Sequence, residues 1–399
     1  MLFEKFVAKT KSWWHEYFTE VTKAQSEGRL FTNGKLTLYP TMIIFTKFSK
    51  HYMAELVGAS ATYSELKVKI HTEKSIYRYL NQFDEQYKNP LLQLDSGLMG
   101  FRSLTISTNH QAQLLKERFP NIDLYKSHMA ASFDADCLFG FGENFDYTCI
   151  ENSILINKRE NFYRVKNILA MYIVASRIST NQLEGLYNWT AEEGCVKGVH
   201  TVDNSDIVKT TVAQFQNMYL QPKLRETTLG DFINSHPEII KLAFNASRFE
   251  YEPSLKWLEH DGTCDDTYIN PDLIIENNYG EWDIYDLKTA LLDKTRLTKD
   301  GRKRRRFVDY VSEGIAQLAN YREYFSYERN KAHALEKYGI KITDPKMVLV
   351  VGSWENFDKS EVLQASRFLD KKIEIIDYDT FAQLIISGAT ALARSSTTP

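Results

Sequence analysis

Residues 269–290, INPDLIIENNYGEWDIYDLKTA, constrain the fold more than any other stretch of this 399-residue chain. Two β-type runs, DLIIEN and EWDIYDLK, flank Asn278-Tyr279-Gly280, and a three-residue connection with glycine in the left-handed position closes a β-hairpin. With Asn277 opposite Glu281, the ladder carried down its length sets Asp272 opposite Asp286. Directly opposed residues have Cβ atoms ~4.5–5.5 Å apart, so these two carboxylates can share one divalent cation, and without a cation they repel each other. Strand side chains alternate, so Lys288, Ile274 and Ile284 lie on the same face as Asp286. Oxygen ligands beside an ammonium group suit Mg²⁺, which is held by one or two carboxylates plus waters and phosphates. The same pattern also describes a turn-ending aspartate and a solvent-facing strand, and short motifs have many chance matches.

Three further features surround the hairpin. Upstream, RETTLGDFINSHPEII, residues 225–240, reads as helix and carries Glu226, either a third carboxylate for the metal, direct or through water, or a plain acid in a helical first turn. Downstream, Gln317 and Tyr321 share one helix face at a four-residue step, suited to bonding phosphate oxygens or stacking on a sugar or base, or simply half-exposed. Between them, KTRLTKDGRKRRR sets Lys294, Arg296, Lys299, Arg302, Lys303, Arg304, Arg305 and Arg306 around an Asp300-Gly301 turn. Such a run is commonly a solvated loop or a nuclear-localisation signal. Here it leaves the strand that carries Lys288, a position from which it can grip a phosphate backbone.

The chain as a whole has no basic field: 49 Lys+Arg against 52 Asp+Glu give a net charge of −3, so nucleic-acid binding has to come from that local run. Its 43% apolar and 25% charged residues describe a globular protein, and its length suits two domains. Cys137, Cys149, Cys195 and Cys264 form no CxxC pair, which suggests reduced thiols in a cytoplasmic protein rather than a disulfide framework or a zinc knuckle. Glu4 and Lys5 interrupt any signal-peptide core, and the longest apolar stretch, residues 168–175, is far short of the ~20 that a bilayer needs. No P-loop and no paired histidines are present, which removes the ATPase and zinc-enzyme readings.

Residues 1–26 show apolar residues at helical spacing, followed by β-type runs to about residue 70, helical stretches near 73–87 and 111–119, a β block at 138–157, and an expected long helix over 159–188. The aperiodic segment 194–205 marks the boundary between an N-terminal domain, 1–205, and a second domain, 206–389. The second domain reads as helices 206–220 and 223–234, strands, a helix 311–336, a strand MVLVVG, a helix 359–368, a strand IEIIDY and a short helix 380–386. That order predicts a mixed sheet flanked by helices, an α/β fold of the mixed α+β kind, with a mobile tail over 387–399 whose last ten positions, 390–399, lie outside either domain.

At Asp272, Asp286 and Lys288 the chain resembles the PD-(D/E)xK nuclease superfamily, and Gln317 and Tyr321 match the QxxxY element of its RecB-like branch. More closely, ETTLGDFINSHPEII, INPDLII, WDIYDLKT, AQLANY, VLVVGS and IEIIDYDTFAQLI resemble the Shedu family of anti-phage defence nucleases, over roughly residues 206–389. The resemblance implies a restriction-endonuclease-like core preceded by a separate α+β domain that varies within the family. It also implies a prokaryotic, cytoplasmic, metal-dependent DNA endonuclease or nickase, with no membrane association and a homo-oligomeric state such as a tetramer. Asp272, Asp286, the carbonyl of Leu287 and Glu226 would hold Mg²⁺, with Mn²⁺ able to substitute; Lys288 would orient the attacking water, and Gln317 and Tyr321 would position the strand. The middle acid is Asp286 where the superfamily more often has Glu, which loosens any inference about metal geometry. Two alternatives stay open: a DNA-binding module that cuts nothing, and a housekeeping exonuclease or junction resolvase. Residues 1–205, which nothing in the sequence places, are read as a regulatory or sensing domain.

Overall fold

The computed structural model describes residues 1–30, 35–80, 90, 92–95, 98–124, 128–130, 139–158, 161–192, 197–202, 207–221, 223–262, 266–290, 296–301, 304–356, 359–367 and 369–397. Lys294, Arg302, Lys303, Cys137, Cys195 and Cys264 lie outside them, while Cys149 is buried. The chain forms two compact units, one of residues 1–114, 124–157 and 165–217, the other of 115–123, 158–164 and 218–399. The division therefore falls after residue 217 rather than 205, and two short segments from the first half of the chain belong to the second unit. Among the described residues no helix is long and apolar enough to cross a membrane.

In the first unit, helix α1 (Phe3–Ser26) buries Phe3, Phe6, Trp14, Phe18 and Val21, the stripe that its three- and four-residue spacing predicts. These side chains pack on a mixed sheet that contains β1 (Met42–Lys47), β2 (His51–Val57), β3 (Lys67–Thr72), β4 (Tyr147–Ile156) and β5 (Val165–Ala175), ordered β3-β1-β2-β5-β4. The expected helix over 159–188 is mostly strand. β5 pairs antiparallel with β2 on one side and β4 on the other, and only then does the chain enter helix α2 (Thr180–Glu192). A continuous apolar run has no periodicity to separate a buried helix from a central strand, and here the β-branched Ile168, Ile173 and Val174 fit the strand. The supposedly aperiodic boundary also holds a short strand, His200–Val202, paired with Leu36–Leu38.

The second unit carries helices α3 (Glu226–Ser235) and α4 (Pro237–Phe244), then β6 (Ala246–Tyr251), β7 (Leu273–Asn277) and β8 (Trp282–Leu287). A basic hairpin follows, β9 (Thr298–Gly301) with β10 (Arg304–Phe307), and then helices α5 (Asp309–Tyr324) and α6 (Glu328–Tyr338), so the single helix expected over 311–336 is two. Strand β11 (Met347–Val350), helix α7 (Lys359–Ala365), strand β12 (Ile373–Ile376) and helix α8 (Tyr378–Thr397) complete it. The sheet runs Phe162–Tyr163, β12, β11, β8, β7, β6: parallel from Phe162–Tyr163 through β8, antiparallel beyond. This is the mixed sheet flanked by helices that the element order predicts.

Helix α8 continues through the stretch expected to be a mobile tail. At Gly388 the helix comes so near the backbone of Leu242 on α4 that a Cβ would lie 2.2 Å from the Leu242 carbonyl oxygen, and Arg394 pairs with Asp123 at 2.9 Å. Ser, Thr and Ala in that tail are the small residues that a close helix crossing admits. The core beneath α5 gathers Ile274, Ile284, Val311, Leu318, Tyr324, Met347 and Leu349.

Candidate active site

The β7–β8 hairpin has the predicted register: Leu273 pairs with Tyr285, Ile274 with Ile284, Ile275 with Asp283, Glu276 with Trp282. Gly280 takes φ 79°, and the Asn277 N–H donates to the Glu281 carbonyl at 2.9 Å, as a left-handed glycine turn requires. One step beyond the paired residues, this frame sets Asp272 opposite Asp286. The apolar face of Ile274 and Ile284 continues along β8 into Asp286 and Lys288, still beneath α5.

Asp286 and Lys288 are 2% and 6% exposed. Lys288 Nζ lies 2.9 Å from Asp286 Oδ2 and donates to Gln317 Oε1 at 2.8 Å, with Glu226 Oε2 at 3.9 Å. The lysine thus ties the hairpin to α5 through Gln317 and faces the first residue of α3. Asp286 Oδ2 has this ion pair and, among the described residues, no other donor. Asp272 Oδ2 accepts the Leu287 N–H at 2.6 Å.

Burial, then the neighbouring Asp286, push the Asp272 carboxyl up to about 7, against the opposing pull of the Leu287 N–H and Lys288. Asp286 is also raised, by burial first, with Lys288 countering it. For Lys288, burial works against the charged form, but Asp286, Glu226 and Asp272 overcome it and the ammonium is held above its ordinary value. The site therefore holds a buried carboxyl, Asp286, and a partly buried one, Asp272, crowded beside one firmly charged ammonium, an arrangement that an added cation relieves.

Glu226, Asp272, Asp286, Lys288 and Gln317 come together as the sequence suggests. Glu226 stays half-exposed, and no three His, Cys, Asp or Glu side chains among the described residues converge closely enough to chelate one ion. Glu226 is accordingly not gathered with the aspartates as a third ligand. Tyr321 differs from its expected role: it is 8% exposed, and its hydroxyl donates to the Asn270 carbonyl at 3.2 Å, so its ring fills the core and braces the turn before Asp272 instead of presenting a stacking face.

The basic run divides by strand face. Arg305 pairs with Glu361 at 2.8 Å and Asp300 at 2.9 Å, Arg296 pairs with Glu361, and Lys299 pairs with Asp309 at 2.5 Å. Arg304 and Arg306 lie on the other face of β10 and are exposed. Lys299 opposes Arg306 on that same face while paired to Asp309, so among the described residues of β9 and β10 Arg304 and Arg306 are the exposed cations of this face.

Four residues escaped the sequence reading. Gly314 lies against the site, where a Cβ would meet Leu349 Cδ1 at 2.8 Å and both Asp286 Oδ2 and Lys288 Cε at 3.1 Å. Tyr310 donates to Glu226 Oε1 and accepts the Thr289 N–H at 2.9 Å, and Tyr378 donates to the Lys288 carbonyl. The signal for two of them was available: Tyr310, Gly314, Gln317 and Tyr321 form one stripe at four-, three- and four-residue steps. Tyr378 and Thr289 had none, because their contacts join distant parts of the chain.

Residues 223–382 match the family model described as "Shedu protein SduA, C-terminal". None of the curated proteins matches the chain. A solved structure titled "Structure of EndoMS-dsDNA2 complex" matches at 15% identity over 56% of this chain, with a TM-score of 0.17, a likeness too slight to bear on fold or activity. The chain spans 63% of that structure's length.

Proposed function

We propose that this chain, whose residues 223–382 match the Shedu SduA C-terminal family model, is a metal-dependent DNA nuclease acting in anti-phage defence. The observation that carries the reading is the hairpin end itself: a partly buried Asp272 beside a buried Asp286, with Lys288 locked beside them by Gln317. The donor set fits Mg²⁺ or Mn²⁺, because the raised Asp272 and Asp286 Oδ2, whose one partner is Lys288, are hard oxygens that a divalent ion would complete. Asp272, Asp286 and the Leu287 carbonyl would hold the ion, with Glu226 acting through water. When bound, the ion supplies a water of lowered pKa and charge neutralisation at the scissile phosphate.

The chain's own groups do the rest. Lys288, a compact ammonium fixed at two points, orients the attacking water and offsets charge on the pentavalent phosphorus. Gln317 fixes the lysine, and Tyr321 fixes the turn that delivers Asp272. Arg304, Arg306 and Lys299 bind phosphates, contacts that carry no base code, so cutting is expected to show little sequence preference. The protein is further read as cytoplasmic and homo-oligomeric. The test is wild type and Lys288→Ala on matched linear and closed-circular DNA, with Mg²⁺, Mn²⁺ or EDTA. Metal-dependent cutting by wild type alone is expected, while cutting that survives in both Lys288→Ala and Asp286→Ala would overturn the assignment.

A further inference from the structure

The Lys288–Thr289 peptide group, immediately after the lysine, is held at both of its polar ends by phenols from different helices. Tyr378, 0% exposed at the start of α8, donates to the Lys288 carbonyl, and the Thr289 N–H donates at 2.9 Å to Tyr310, on the first turn of α5. In a trans peptide these two groups point in opposite directions, so the pair of tyrosines fixes the peptide plane from both sides. A hydroxyl that accepts one bond still has a proton to give, and Tyr310 gives it to Glu226 Oε1. Burial, then the bond to Glu226, hold the Tyr310 hydroxyl above its ordinary value, so it remains a donor at neutral pH.

We propose that Tyr310 is a positioning residue that couples the direction of Lys288 to the orientation of Glu226, and so sets the divalent-ion site without touching the ion. The proposal rests on the metal-dependent reading above. Glu226 is half-exposed at the start of its helix, with Lys288 Nζ at 3.9 Å. A surface glutamate there has several staggered rotamers open to it, and the phenol restricts the choice to those that face the lysine. Thr289 Oγ1, 3.4 Å from the same phenol oxygen, completes the local cluster.

The test is a cycle of Tyr310→Phe and Glu226→Gln in the full-length protein, read first by Mn²⁺ binding without DNA using electron paramagnetic resonance, then by cleavage kinetics. Phenylalanine keeps the ring, and thermal unfolding checks that the fold is retained. Removing groups that orient metal ligands typically costs about 10–100-fold in metal affinity or activity. Tyr310→Phe is expected to weaken Mn²⁺ binding about tenfold and lower kcat by a similar factor with the KM for DNA unchanged. In the Glu226→Gln background the further effect on Mn²⁺ binding should fall below about twofold, because the phenol has lost its charged partner. Unchanged Mn²⁺ binding in Tyr310→Phe, or an equal effect in both backgrounds, overturns the positioning role. Wild type that binds Mn²⁺ yet cuts no DNA overturns the nuclease reading and leaves the cycle readable, whereas wild type that binds no Mn²⁺ overturns both.

Discussion

A methyl group at position 314 would meet Leu349 Cδ1 at 2.8 Å and both Asp286 Oδ2 and Lys288 Cε at 3.1 Å, so these side-chain ends, rather than the helix, would have to give way to it. Alanine improves helix propensity by about 1 kcal/mol over glycine. Gly314→Ala should therefore leave thermal stability nearly unchanged, as gained propensity offsets the displaced Leu349, while cleavage falls about tenfold because Lys288 is pushed off its partners. Loss of stability with normal cleavage would contradict this. Asp272 gives a second prediction. Its folded-state carboxyl titrates near 7 and its unfolded one near the ordinary 3.8. Between those values the folded state holds the proton and the unfolded state does not, so the group's stabilising contribution is present at low pH and lost as pH rises toward 7. In EDTA the melting temperature of wild type minus that of Asp272→Asn should decline from pH 4 to pH 7, and Mg²⁺ should reduce the decline by favouring the ionised form. A flat difference would remove the crowded-carboxyl account.

At the scale of elements, the β9–β10 hairpin does two jobs on two faces. Arg305 is paired to Glu361 and Asp300, while Arg304 and Arg306 are exposed beside Lys299. DNA affinity of Arg304→Ala/Arg306→Ala should lose about 1–2 units of salt slope with unfolding unaffected, since each phosphate contact contributes about 0.9. Arg305→Ala should do the reverse: it leaves Glu361, 9% exposed, with less positive charge nearby, and lowers the urea midpoint with little change in slope. Fluorescence anisotropy across a salt series and urea melts separate the two. The β7–β8 hairpin was legible from sequence down to its register, because a side-chain period of two and a glycine turn leave one pairing that buries Ile274 and Ile284 together. β5 was not: its uninterrupted apolar run carries no period, and only β2 and β4 on either side make it a strand. Tyr321 lies on the face that its helix spacing gives, but buried rather than open, since spacing gives a face and not what covers that face.

At the scale of the molecule, the second unit borrows residues 115–123 and 158–164 from the first half of the chain. Those segments bring two arginines, Arg164 buried and Arg118 partly buried. Arg118 lies 2.8 Å from Glu374 and 3.2 Å from Asp283, and Arg164, 1% exposed, lies 3.5 Å from Asp377, which is fully buried. Burial raises the Asp283 and Asp377 carboxyls, and the arginines counter it. A fragment starting at residue 206 would keep the acids and lose both cations, and a buried charge stripped of its partner costs about 3–5 kcal/mol. Residues 206–399 expressed alone should melt broadly or not fold, with partial rescue by Asp283→Asn/Glu374→Gln/Asp377→Asn. Sharp cooperative unfolding of the plain fragment by calorimetry would show that the borrowed segments are dispensable. Removal of the N-terminal region thus also removes structural partners of the second unit.

What the sequence alone determined is local: the hairpin, its register, the alternation that puts Asp286 and Lys288 on one face, and the four-residue step from Gln317 to Tyr321, all consequences of fixed backbone periods. What only the tertiary structure decided is every relation between elements far apart in the chain. These include the phenols on the Lys288–Thr289 peptide, the glycine of α5 that faces Asp286 and Lys288, the depth at which Tyr321 is buried, and the two arginines that the first half of the chain lends to the second unit. Periodicity specifies which way a side chain points from its own backbone; what it meets there depends on how the sheet and helices close around it.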